Sequence, residues 1–81
     1  MLATKQFMTK GEVINFMLDW TGLMSTEYEV HTTEDMYVTL KDPHNPWCSI
    51  HQVLKTMQDH GYAVEYGFHS QMAGPTAIIL N

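Results

Sequence analysis

The stretch Glu27-Tyr28-Glu29-Val30-His31-Thr32 decides the fold. Its strict alternation puts Tyr28, Val30 and Thr32 on one face and Glu27, Glu29 and His31 on the other, the period of a half-buried strand. A polar turn around Thr33, Glu34 and Asp35 comes next, and the chain returns with Met36, Val38 and Leu40 facing in and Tyr37, Thr39 and Lys41 facing out. This is a hairpin. The pattern recurs 38 residues later as Glu65-Tyr66-Gly67-Phe68-His69-Ser70. There Tyr62, Val64, Tyr66 and Phe68 face in, while Ala63, Glu65, Gly67 and His69 face out. A turn at Met72-Ala73-Gly74-Pro75 precedes an apolar strand from Thr76 to Leu80.

Each hairpin is preceded by a helix signal. Thr9-x-x-Glu12 is a capping box, with Met8 and Val13 at the positions of a hydrophobic staple. Val13, Ile14, Phe16, Met17, Leu18 and Trp20 recur at helical spacing and leave only the narrow polar stripe of Glu12, Asn15 and Asp19, so this helix is expected deep in the core or under a partner. Gly22 is placed to stop it. The second helix starts either at Asn45-Pro46 or at the box Ser49-x-x-Gln52, carries Trp47, Ile50, Val53, Leu54 and Met57 on its apolar stripe, and stops at Gly61. Between the halves, the prolines of Asp42-Pro43-His44-Asn45-Pro46 mark a linker.

An offset of 40 aligns Thr9 with Ser49, Glu12 with Gln52, Val13 with Val53, Met17 with Met57 and Asp19 with Asp59. Capped amphipathic helices resemble one another anyway, which accounts for the apolar matches but less easily for the shared Glu-Tyr-x-apolar-His pattern. The expectation is one α+β domain over residues 1–81, made of two α-β-β units, 9–41 and 49–80, joined by a linker at 42–48, with an internal duplication as the origin of the pair. Their hairpins pair into a four-stranded antiparallel sheet with both helices packed on one face.

Composition narrows the function. The 81 residues hold nine acidic side chains, four lysines and no arginine, for a net charge of −5. Direct nucleic-acid binding is therefore not expected, because phosphate contacts draw on clustered lysine and arginine. The single cysteine, Cys48, allows no internal disulfide and suits a reducing compartment. No apolar run approaches the roughly 18 residues of a membrane span. These features predict a cytoplasmic protein without membrane contact.

The charge is uneven. Residues 1–24 are neutral, residues 25–42 carry −4, and residues 43–81 carry −1. A concentrated acidic hairpin steers a basic protein surface, so Glu27, Glu29, Glu34, Asp35 and Asp42, with His31 and Tyr37, are the expected partner-binding residues. An acidic face also serves solubility alone. Two weaker metal readings exist: His31 and His69 among carboxylates on the open sheet face, and His44, Cys48 and His51 around the start of the second helix. Neither has the four-ligand spacing of a structural zinc site. No nucleophile triad, phosphate loop or dinucleotide fingerprint appears, so no enzyme and no cofactor are expected. Cys48 and His51 are the pair a catalytic reading would test first. The predicted function is a small acidic protein-binding module of the inhibitor or host-modulator kind, with small-ligand or metal binding on the open sheet face as the alternative. Seven methionines, with Met8, Met24 and Met72 outside the core pattern, add a homodimer to the expected partners.

Overall fold

The structure, a computed structural model, describes residues 5–32, 35–42, 44–68 and 75–80. The elements in chain order are α1 (Lys10–Phe16), running into a π-helical turn (Met17–Thr21), β1 (Tyr28–His31), β2 (Met36–Leu40), α2 (Ile50–Asp59), β3 (Val64–Phe68) and β4 (Pro75–Ile79). The four strands form one antiparallel sheet in the order β1-β2-β4-β3, with both helices on one face, so the α+β architecture expected from the alternation is the one observed. Exchanging the two halves leaves this strand order unchanged, with β2 and β4 paired at the centre. The turn predicted at residues 72–74, and the residues Glu34 and His69, lie outside the described residues.

Both cap hydroxyls act as expected, without the reciprocal bond of a full capping box in the first helix. The Thr9 hydroxyl accepts from the Glu12 amide at 3.2 Å, but the Glu12 carboxylate reaches past the cap to the Met8 amide at 2.9 Å. The expected staple through Met8 does not form, because Met8 is exposed and the neighbouring Phe7 takes the buried place instead. Phe7 stacks on Tyr62 with centroids 3.7 Å apart and meets Phe16 edge-on at 5.4 Å. In the second helix the Ser49 box prevails: the Gln52 amide donates to the Ser49 hydroxyl at 3.3 Å. Asn45 instead accepts from the Trp47 amide at 2.8 Å in an Asx turn, so Trp47 precedes the helix and is 84% exposed rather than part of its apolar stripe. The helices stop at Gly22 and Gly61, whose φ values of 73° and 90° lie in the left-handed region that glycine enters without a Cβ clash.

The core joins Val13, Phe16 and Met17 to Ile50, Val53, Leu54 and Met57 above Val30, Val38, Leu40, Val64, Ala77 and Ile79. The apolar width of the first helix is only half used, since Leu18 and Trp20 are exposed. At this end the helix closes in a π-helical turn, with the Gly22 amide donating to the Met17 carbonyl at 3.1 Å. Trp20 then rests on His60, with ring centroids 4.3 Å apart.

Candidate acidic edge and groove

In β1 the hydrogen-bond phase is set by one contact. The Lys41 amide donates to the Glu27 carbonyl at 3.0 Å, and Tyr28–Leu40, Glu29–Thr39 and His31–Tyr37 are register partners. Alternation then directs the main-chain groups of Glu27, Glu29 and His31 toward β2 and those of Tyr28 and Val30 away from the sheet. No strand lies beyond β1 among the described residues, so the outward main-chain groups of Tyr28 and Val30 have no strand partner there, although both residues are buried.

A groove of about 460 Å³ runs along this edge between α1 and β1, lined by Lys10 and Ile14 from the helix, Ser25 from the connection, Tyr28, Glu29, Val30 and His31 from the strand, and Lys41 from the end of β2. Its floor is fixed: the Tyr28 side chain is buried and its hydroxyl reaches the Ile14 carbonyl at 3.5 Å, tying helix to strand. Burial also pushes the Tyr28 phenol above its ordinary value, so it stays a neutral donor. On the rim, Glu29 lies 3.4 Å from His31 Nε2 and 3.9 Å from Lys41 Nζ. These half-exposed pairs contribute little to stability and leave Glu29 available to a ligand.

The other predicted partner-binding residues divide. Asp35 is exposed at the start of β2. Glu27 and Asp42 keep their charge but spend an oxygen on the backbone, Glu27 on the Met24 amide at 2.7 Å and Asp42 on the His44 amide at 3.0 Å. Tyr37 faces out as the alternation requires, yet it is only 5% exposed and stacks on His31 at 4.7 Å, so it is a buried support for His31 and not a contact surface. Its outer-face neighbour across β4 is Ile78, which makes that face less polar than an alternating strand alone suggests.

The metal grouping of His44, Cys48 and His51 is not assembled. Helix α2 begins at Ile50, so Cys48 sits before the Ser49 cap and is not on a helical face with His51. Cys48 and Val53 occupy the staple positions of this helix, both buried in the core, whereas His51 is exposed and stacks on Tyr66 at 4.7 Å. Among the described residues no group of three His, Cys, Asp or Glu side chains is placed to hold a metal ion. The Cys48 thiol is raised from its ordinary value by burial first and the Glu27 carboxylate second, the opposite of an activated nucleophile.

A second surface was not legible as such in the sequence. Tyr66 and Phe68 point to the helix side of β3 as expected, but they are 41% and 71% exposed, because the buried stripe of α2 begins at Ile50 and its exposed flank offers only His51 as cover. Tyr66 stacks on His51 and meets Phe68 edge-on at 5.4 Å. The alignment partners of these residues, Tyr28 and Val30, are both buried. Within the described residues no helix is long and apolar enough to cross a membrane. Comparison of the chain with protein-family models, curated proteins and solved structures gives no match.

Proposed function

We propose that this chain is a small protein-binding module that receives an extended segment of a partner protein along β1, steered there by the acidic hairpin. The observation supporting this reading is the edge of β1 at Tyr28 and Val30, which no further strand covers among the described residues, beside a groove with a fixed floor. Strand addition uses such an edge for affinity through main-chain hydrogen bonds, while flanking pockets choose side chains. The net −4 of residues 25–42 accelerates encounter with a basic partner and disfavours an acidic one. Lys10 and Lys41 sit in the groove itself, so the attraction comes from the surrounding field rather than from the floor.

The test is fluorescence anisotropy with an extended peptide of alternating lysine and valine. Binding is expected to weaken as salt rises, to fall with Glu29→Lys, and to vanish when the peptide is N-methylated on the edge that faces β1 but not on the opposite edge. Equal tolerance of both methylation patterns contradicts strand addition.

A second reading is favoured by two polar atoms on the outer face. His31 Nε2 and Thr39 Oγ1 are buried without a hydrogen-bond partner, since the Glu29 oxygen 3.4 Å from Nε2 meets the ion-pair distance but not hydrogen-bond geometry. A small polar ligand or a divalent metal seated by Glu29 and His31 satisfies them. Melting with zinc, nickel and chelator decides it: a native-state ligand at 100 times its dissociation constant adds about 2.7 kcal/mol, and a flat response removes this reading.

A further inference from the structure

The two edges of the sheet are not equivalent. Edge β1 carries the acidic hairpin, whereas β3, Val64–Phe68, holds a single charge, Glu65. Its hydrogen-bond phase is fixed by the Leu80 amide donating to the Ala63 carbonyl at 2.9 Å, which turns the main chain of Ala63, Glu65 and Gly67 toward β4 and that of Val64, Tyr66 and Phe68 outward. Among the described residues the N-terminal segment covers only the start of this edge, where Lys5 pairs with Tyr62. Neither lysine nor proline interrupts the strand, and Glu65 is its single charge.

We propose that β3 is a self-pairing edge: two copies of the chain join antiparallel through Val64–Phe68, with Tyr66 facing the partner's Tyr66, in one continuous sheet. In this register the outward residues pair only with outward residues, Val64 with the partner's Phe68 and Tyr66 with the partner's Tyr66, giving about six main-chain hydrogen bonds. The Val64 carbonyl already accepts from Gln58 Nε2 at 3.3 Å, and that exposed side chain gives way to a main-chain donor. Glu65 then faces the partner's Gly67, so no like charges meet, and Tyr66 and Phe68 form cross-strand aromatic and aliphatic pairs over the interface. A twofold axis makes this contact closed, ending at two copies.

Charge selects this edge over β1 for a second copy. Joined through β3, the acidic hairpins lie at opposite ends of the combined sheet. At about 4.8 Å per strand, the two β1 strands stand about 34 Å apart, several times the Debye length of about 8 Å at physiological salt. Self-pairing through β1 instead brings Glu27 and Glu29 of both copies together. The arrangement also leaves both β1 grooves open, so the dimer and the proposed partner segment do not compete.

Sedimentation equilibrium over a dilution series tests the proposal. With rising concentration up to the submillimolar range, the mass is expected to approach twice the chain's 9.3 kDa. Tyr66→Lys and Tyr66→Glu are each expected to weaken the dimer about tenfold or more, and mixing the two variants to restore it, because residue 66 faces its own copy. Phe68→Lys, at a 71% exposed position that the fold does not need, gives the same loss if the Tyr66 variants fail to fold. Glu29→Lys leaves the dimer unchanged, which separates this surface from the β1 groove. A mass of 9.3 kDa throughout, dimerisation by Tyr66→Lys equal to wild type, no recovery on mixing, or loss of the dimer with Glu29→Lys overturns the proposal.

Discussion

Phe7→Ala is the sharpest test of how this small core closes. Phe7 is 1% exposed, stacked on Tyr62 and edge-on to Phe16, and it is held in place from a segment that belongs to no helix or strand. Truncating a buried phenylalanine costs about 3–5 kcal/mol, the transfer of the lost ring plus the cavity it leaves. A domain of this size has a net stability near the low end of about 5–15 kcal/mol, so the variant stands close to its unfolding threshold. At about 4–8 °C per kcal/mol for a domain of 60–100 residues, the midpoint falls by at least about 12 °C. Phe7→Leu keeps the apolar volume but loses the aromatic contacts, each worth about 0.5–1.5 kcal/mol, and its midpoint falls by roughly a third as much. Circular dichroism is the appropriate probe, because Trp20 and Trp47 are both exposed and report poorly on core packing. A loss below about 1 kcal/mol for Phe7→Ala refutes the closure of the core by this segment.

Other outcomes rest on single contacts. Ser49→Ala removes the hydroxyl that caps the Gln52 amide and costs about 1 kcal/mol by urea titration, whereas Asn45→Ala, at a turn outside the helix, costs less. Gly61→Ala forces a side chain into φ 90° and costs about 1–2 kcal/mol by the same measurement. Cys48, buried with its thiol pushed up, reacts with iodoacetamide far more slowly than the denatured chain does. Because its folded value is raised, the thiol's contribution to stability is fully present below the unfolded value of about 8.5 and is lost as pH rises beyond it; Cys48→Ala flattens that alkaline loss.

The parts of the fold that local residues determine could be read from the sequence. Thr9 announced the first helix start, Ser49 was one of two start signals for the second, and the alternation from Glu27 to Leu40 gave the first hairpin and the facing of its side chains. What depends on distant neighbours could not. Tyr37 alternates outward, but its burial comes from the β2–β4 register that sets Ile78 beside it. Tyr66 and Phe68 carry the same apolar signal as Tyr28 and Val30, and their exposure depends on where α2 begins over β3. The π-helical turn at Met17–Thr21 left no mark in the residue spacing, and Phe7 belongs to no periodic run. The metal grouping failed for a similar reason: whether Cys48 lies inside or before the helix turns on which of two start signals prevails.

Amide hydrogen exchange residue by residue tests the edge reading most directly. In the free protein the Tyr28 and Val30 amides, directed away from the sheet, exchange quickly while Glu29 and His31, bonded to β2, are protected. Adding the basic extended peptide is predicted to protect Tyr28 and Val30 selectively. Strong protection of Tyr28 and Val30 in the free protein, or no change on saturation with peptide, contradicts strand addition at β1.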